Sequence, residues 1–267
     1  MSSPILVTGG TGTLGRLVTP LLREAGHPVR VLSRRGGPAG DGIEHVTADL
    51  LAGEGIEAAL DGVETVVHLA GGPKGDDQAT GNLVRAAQRA RVRHLVYISV
   101  IGADRVPLGY FRAKLGAERA IIESGLPWTI LRAAQFHDLV LALAQKMAKM
   151  PVIPIPGGLR FQPVDSREVA ARLVNLALDA PGGVVPDLAG PAVHPMADLM
   201  RGYLQVCGKR RLFLPVRMPG KAGRAYRAGD NLALNGAATG TRTWEAFLAE
   251  RIPQAEPMVN TRPATLQ

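Results

Sequence analysis

Cysteine is almost missing from this chain: Cys207 is the single one in 267 residues. That excludes an internal disulfide framework and any cysteine-built metal centre, and it suits a reducing compartment. The six histidines, His27, His45, His68, His94, His137 and His194, are dispersed without metal-ligand spacing, so no metal site is expected. Aromatic residues make up only 4%, which leaves an aliphatic core and a substrate pocket short of stacking platforms. No apolar run approaches the ~18–20 residues of a membrane span. The N-terminus lacks the charged-then-apolar pattern of a secretory leader. A soluble, cytoplasmic chain without a membrane partner is the expectation.

Acidic residues are also in deficit, 23 against 31 Lys and Arg, for a formal charge of +8. A basic balance raises the question of nucleic acid. Along the sequence, however, the basic residues look scattered. The densest runs are Arg34-Arg35, Arg89-x-Arg91-x-Arg93 and Lys209-Arg210-Arg211, and none interleaves with aromatics as single-strand binders require. No nucleic-acid partner is expected.

The first half alternates short aliphatic runs with helical patterns. Strands are predicted at Ile5–Thr8, Pro28–Leu32, His45–Thr47, Thr65–Leu69, His94–Ser99 and Trp128–Leu131. Leu14, Leu17, Val18, Leu21 and Leu22 share one helix face, Leu83, Ala86, Ala87 and Ala90 another, and Phe111–Ser124 reads as a third helix stopped by Gly125. Strands apolar throughout and separated by helices argue for a parallel sheet covered on both faces, a doubly wound α/β domain of Rossmann type. This core is predicted over residues 1–132. Beyond it Pro and Gly become frequent, and helices at 165–179, 195–207 and 243–249 mix with short strands. Residues 133–252 read as a smaller mixed substrate or lid region integrated with the core, and 253–267 as a polar tail.

Between the first strand and helix lies TGGTGTLG, residues 8–15. A glycine-rich turn at that place lets backbone approach a pyrophosphate and sets it at a helix N-terminus. Gly9, Thr11, Gly12, Thr13, Leu14 and Gly15 are the candidate phosphate-loop residues. Dinucleotide-binding domains that take NAD place an acidic residue after the second strand. This chain has Arg34-Arg35 there, which suits a 2′-phosphate and predicts NADPH/NADP+.

Tyr110 and Lys114, four residues apart at a helix start, share a face, and an ammonium beside a phenol lowers its pKa from about 10. Ser99, ending the fifth strand, could hydrogen-bond the same carbonyl. Proton donation by Tyr110 and hydride transfer from nicotinamide would together reduce a carbonyl.

These stretches resemble the short-chain dehydrogenase/reductase superfamily, most closely its atypical NmrA-like, NAD(P)H-binding branch. The likeness runs through VTGGTGTLG (7–15), TADL (47–50), VVHLAGG (66–72), HLVYISVIGAD (94–104), YFRAKLGAERAIIESGLPWTILRAAQF (110–136) and FQPVDSREVA (161–170). It implies that Asp49 and Leu50 border the adenine and that Ala70, Gly71 and Gly72 line the adenosine side. It further implies that Lys114 contacts the nicotinamide ribose and that Phe136 and His137 line the substrate pocket. Two departures stand out: one serine where many members have two, and no asparagine in the usual relay position, Asn82 reading as helix packing. The function implied is an NADPH-dependent reductase of a carbonyl or quinone-like small molecule, acting as monomer or homodimer. The alternative is a non-catalytic, redox-sensing NAD(P)(H)-binding regulator.

Overall fold

The computed structural model describes residues 3–37, 42–72, 74–233 and 236–252; the predicted tail, 253–267, lies outside them. Six strands form the first part of the central sheet: β1 (Ile5–Thr8), β2 (Val29–Ser33), β3 (Ile43–Thr47), β4 (Thr65–His68), β5 (His94–Val100) and β6 (Trp128–Ala133). Between them run α1 (Gly15–Glu24), α2 (Ile56–Ala59), α3 (Asp76–Arg89) and α4 (Gly109–Ile122). The order in space is β3-β2-β1-β4-β5-β6, every pairing parallel. The direction of winding reverses between β1 and β4, which is where such sheets leave a crevice at their C-terminal ends.

The continuous aliphatic runs make sense in this layering. Leu6, Val7, Val66, Val67, Leu95 and Val96 are fully buried because both faces of the sheet are covered. On one face α1 sets Leu14, Val18 and Leu22 against Val169, Leu173 and Val174 of α6 (Ser166–Leu178). Each fully buried side chain of that kind contributes about 1.5–3 kcal/mol. On the other face Leu83, Ala86 and Ala87 of α3 pack with Ala117 and Ile121 of α4.

The second half is built from α5 (His137–Met147), β7 (Val152–Pro156), β8 (Arg160–Phe161), α6, β9 (Gly183–Val184), β10 (Leu188–Ala189), β11 (His194–Pro195), α7 (Met196–Val206), β12 (Leu212–Val216), α8 (Gly220–Ala228), β13 (Ala238–Thr239) and α9 (Trp244–Arg251). The expected helices at 165–179, 195–207 and 243–249 are α6, α7 and α9. The helices α5 and α8 were not anticipated. Three of the short strands belong to the main sheet: β9 and β10 pair in parallel with β6, and β13 pairs with β10, making nine strands among the described residues. The other four form two pairs, β7 with β12 in parallel and β8 with β11 antiparallel. A separate core of α5, α7, α9 and β7 centres on Trp244, Phe247, Met200 and Ile153.

Candidate active site

At the C-terminal ends of β1, β4, β5 and β6 opens a cleft of about 790 Å³. Its walls include Gly9, Gly12, Thr13, Leu14 and Gly15 from the loop after β1, and Gly71 and Gly72 from the loop after β4. Ser99, Tyr110, Lys114 and Phe136 complete the predicted set that meets there, joined by Gln135, Asp138, Leu139 and Tyr226.

The glycines divide into two kinds. A Cβ on Gly9 would stand 2.7 Å from the Ala70 nitrogen, and one on Gly15 2.3 Å from the Gly9 carbonyl oxygen. Gly10 is constrained as well: its Cβ would lie 2.6 Å from Val31 Cγ1. Gly12 differs, since its Cβ would meet only the Gly9 oxygen, at 3.2 Å, and otherwise open cleft. Helix α1 starts without a side-chain cap, and the Thr13 and Leu14 amides have no backbone acceptor among the described residues. A helix N-terminus with free donors and a bare glycine in front of it fits a pyrophosphate. Thr11 stands off the cleft wall, with its carbonyl accepting from Arg16 Nε at 2.9 Å.

The remaining cofactor candidates lie at neighbouring strand ends rather than on the cleft wall. Arg34 and Arg35 directly follow β2, both exposed, and neither side chain makes a hydrogen bond among the described residues. Asp49 turns its carboxylate onto its own loop, accepting from the amides of Leu51 (2.8 Å) and Ala52 (3.1 Å). Leu50 is buried in the core. These two side chains are thus engaged within the protein. Ala70 packs beneath Gly9, and its amide donates to Thr8 Oγ1 at 3.1 Å. Asn82 exceeds helix packing: its Nδ2 donates to the carbonyls of Leu50 (2.8 Å) and Leu51 (3.1 Å), tying α3 to that loop.

Ser99 is buried at the end of β5, and its hydroxyl has no hydrogen-bond partner among the described residues. An orphan donor on a cleft wall is a place for a ligand oxygen. Tyr110, in the first turn of α4, is partly exposed and set edge-on to Phe111. Lys114, on the same helix, is buried, and its Nζ lies 3.0 Å from Asp76 Oδ2, donating also to Tyr97 Oη (3.1 Å) and the Ile98 carbonyl (3.2 Å). The Tyr97 hydroxyl donates to the same Asp76 oxygen at 3.0 Å.

That arrangement overturns one expectation. The Tyr110 phenol is held above its ordinary range, first by burial and then by the Asp76 carboxylate, rather than lowered by Lys114. The ammonium is neutralised where it sits, so its field at the phenol is offset by its partner. Asp76 leaves its second oxygen unpartnered among the described residues and close to Gly71, where a Cβ would stand 3.3 Å from Oδ1 and 3.0 Å from Lys114 Nζ. Beneath this group lies His68, fully buried, bridging Thr8 Oγ1 (2.7 Å) and Thr80 Oγ1 (3.0 Å) and stacked on Tyr97. Burial pulls its pKa down to about 4.

His137 is a second correction. It is absent from the cleft wall and lies fully buried between Trp244 and Phe247, at ring-centroid distances of 5.8 and 5.1 Å. As the first residue of α5 it turns away from the cleft while Phe136 turns in. Sequence reasoning missed Asp76, Tyr97 and His68. An acidic residue opening the helix after Gly71-Gly72 was the one available sign of the first, and nothing in the spacing linked it to Lys114.

A parallel sheet with its crevice at the winding reversal, a bare helix N-terminus and a lined cleft together define a dinucleotide-binding protein. A family model described as NAD(P)H-binding matches residues 9–150, and the chain belongs to that family, within the atypical short-chain dehydrogenase/reductase superfamily. Among curated relatives, a (4-alkanoyl-5-oxo-2,5-dihydrofuran-3-yl)methyl phosphate reductase of Streptomyces griseus is 35% identical over 173 residues, 62% of this chain and 60% of that protein. An NAD(P)H azoreductase of Xenophilus azovorans is 32% identical over 201 residues, 72% of this chain and 68% of that protein. In three dimensions an Escherichia coli NADPH-dependent quinone oxidoreductase, solved with NADPH, superposes with a TM-score of 0.78 at 21% identity. That match covers 92% of this chain and 99% of the other.

Proposed function

We propose that this NAD(P)H-dependent oxidoreductase reduces a carbonyl or quinone-like small molecule with NADPH, using Tyr110 as proton donor, Ser99 as carbonyl anchor and Lys114 as orienting cation. The observation that carries the reading is the meeting of an orphan Ser99 hydroxyl and the Tyr110 phenol on one cleft wall with the bare phosphate loop. The reduced nicotinamide supplies the hydride. The free amides of Thr13 and Leu14 bind the pyrophosphate, and Arg34 and Arg35 grip a 2′-phosphate with charged hydrogen bonds. Ser99 donates to the substrate oxygen and fixes it. Because the Tyr110 pKa is raised, the phenol stays protonated across neutral pH, the state a donor needs for reduction. Lys114, held by Asp76, orients the ribose edge next to Gly71.

The names of relatives that reduce a furanone phosphate, an azo compound or a quinone support the class of substrate: flat, conjugated and electron-poor. The second reading, a cofactor-binding sensor without turnover, is favoured by one observation, the capture of Lys114 by Asp76. NADPH oxidation against a panel of quinones, azo dyes and cyclic ketones separates the two. Tyr110→Phe should lower kcat by about 10²–10⁴-fold, the usual contribution of a positioned acid, with cofactor affinity unchanged. Tight NADPH binding without turnover across the panel would instead establish the sensor.

A further inference from the structure

The basic residues that look scattered in sequence are gathered by the fold. Eleven of the 31 Lys and Arg lie in residues 139–164 and 199–229, two segments with no Asp or Glu. The rest of the chain holds 20 cations against 23 carboxylates, so the whole positive excess resides in these two segments. They are brought together by the parallel pairing of β7 with β12, in register Leu212↔Val152 through Val216↔Pro156. At the N-terminal ends of the two strands Lys149, Arg210, Arg211 and Leu212 line one surface hollow of about 510 Å³.

The small sheet has two unlike faces. Ile153 and Ile155 point into the α5/α7/α9 core, whereas Val152 (40% exposed), Leu212 (72%) and Leu214 (54%) point to solvent. Helix α5, which packs on the Ile153 and Ile155 side, has exposed residues of its own, Lys146, Leu143 and Leu139, and Leu139 lines the cleft.

We propose that this face docks on an anionic lipid surface, aliphatic side chains entering the headgroup boundary and the rim of Lys and Arg meeting lipid phosphates. Interleaved aliphatics and cations are the pattern of an interfacial segment. Single-stranded nucleic acid would call for stacking aromatics between the cations, and here the exposed strand side chains are Leu and Val. A second copy of the chain is disfavoured by charge, because a two-fold contact would set each acid-free rim against its own likeness. The proposal does not depend on the proposed reaction.

Co-sedimentation with extruded vesicles tests it, comparing phosphatidylcholine alone with about 30% phosphatidylglycerol. Binding should require phosphatidylglycerol and weaken as NaCl rises from about 0.1 to about 0.5 M. Lys209→Gln/Arg210→Gln/Arg211→Gln should weaken it by about fivefold per charge, hence about 100-fold. Leu212→Ser/Leu214→Ser should weaken it on the order of tenfold with all charges in place. Unchanged NADPH affinity in both variants certifies their fold. No binding to the anionic vesicles, or equal binding to neutral ones, overturns the proposal. So does tighter retention on duplex DNA that ignores the leucine variant, which would assign the patch to nucleic acid. Self-association abolished by the leucine variant would make the face a contact between copies.

Discussion

Asp76→Asn removes the counter-charge of a buried ammonium while changing almost nothing in volume. Asp76 and Lys114 are 2% and 5% exposed and meet at 3.0 Å. With the carboxylate gone, Lys114 keeps, among the described residues, Tyr97 Oη and the Ile98 carbonyl, neither of which is an anion. Breaking one side of a buried pair costs about 3–5 kcal/mol, a large share of the 5–15 kcal/mol that holds a domain together. Lys114→Met should cost a similar amount by stranding Asp76. The double variant Asp76→Asn/Lys114→Met should cost less than either single change, since it strands no charge. Urea unfolding followed by far-UV circular dichroism measures all three, with the slope checked for constancy. Single-variant losses under about 1 kcal/mol, or a double variant equal to the sum of the singles, would refute a tightly coupled pair. Asp76→Asn also removes an influence that raises the Tyr110 phenol, so the alkaline limb of turnover should move to lower pH.

His68, neutral and held near pKa 4 against about 6.5 in the unfolded chain, stabilises the fold fully above pH 6.5. That contribution is lost as the pH falls toward 4, about 3 kcal/mol in all, and His68→Asn should flatten this slope in thermal melts taken across the range. Gly10→Ala should destabilise by about 1–3 kcal/mol through collision with Val31, whereas Gly12→Ala should fold normally and lose NADPH affinity. Calorimetry and cofactor titration on the two variants should give opposite results. Arg34→Asp should weaken NADPH by about tenfold or more and leave NADH nearly unmoved, as measured by fluorescence titration.

What the sequence revealed follows what is local in it. The six strands β1–β6 read clearly because runs buried on both faces are apolar throughout, and β1 matches its predicted bounds residue for residue. That the loop after β1, Ser99, Tyr110 and Lys114 meet at one cleft follows from their places at strand ends and in the first turns of a helix. By contrast β9, β10 and β13 are two residues long, too short for any periodicity, and their place in the main sheet is a tertiary fact. Asp76 lies 38 residues from Lys114, and no pattern in between announces that they touch. His137 adjoins Phe136, yet the start of α5 sends one ring into the core and the other to the cleft. The net charge was visible from composition, but the meeting of Lys149 with Arg210 and Arg211 emerged only once β7 and β12 were paired.

The seam formed by β9, β10 and β13 on the outer edge of β6 bears on how this chain can be re-engineered. A cut after residue 133 would strip β6 of those neighbours and leave a row of open backbone donors and acceptors, an invitation to aggregate. Exchange of substrate-facing pieces with a relative should therefore keep 183–189 and 238–239 with the nucleotide half and graft only the stretches around α5, β7, β12 and α8. The natural unit of recombination in this protein is a set of insertions between sheet strands, not a C-terminal half.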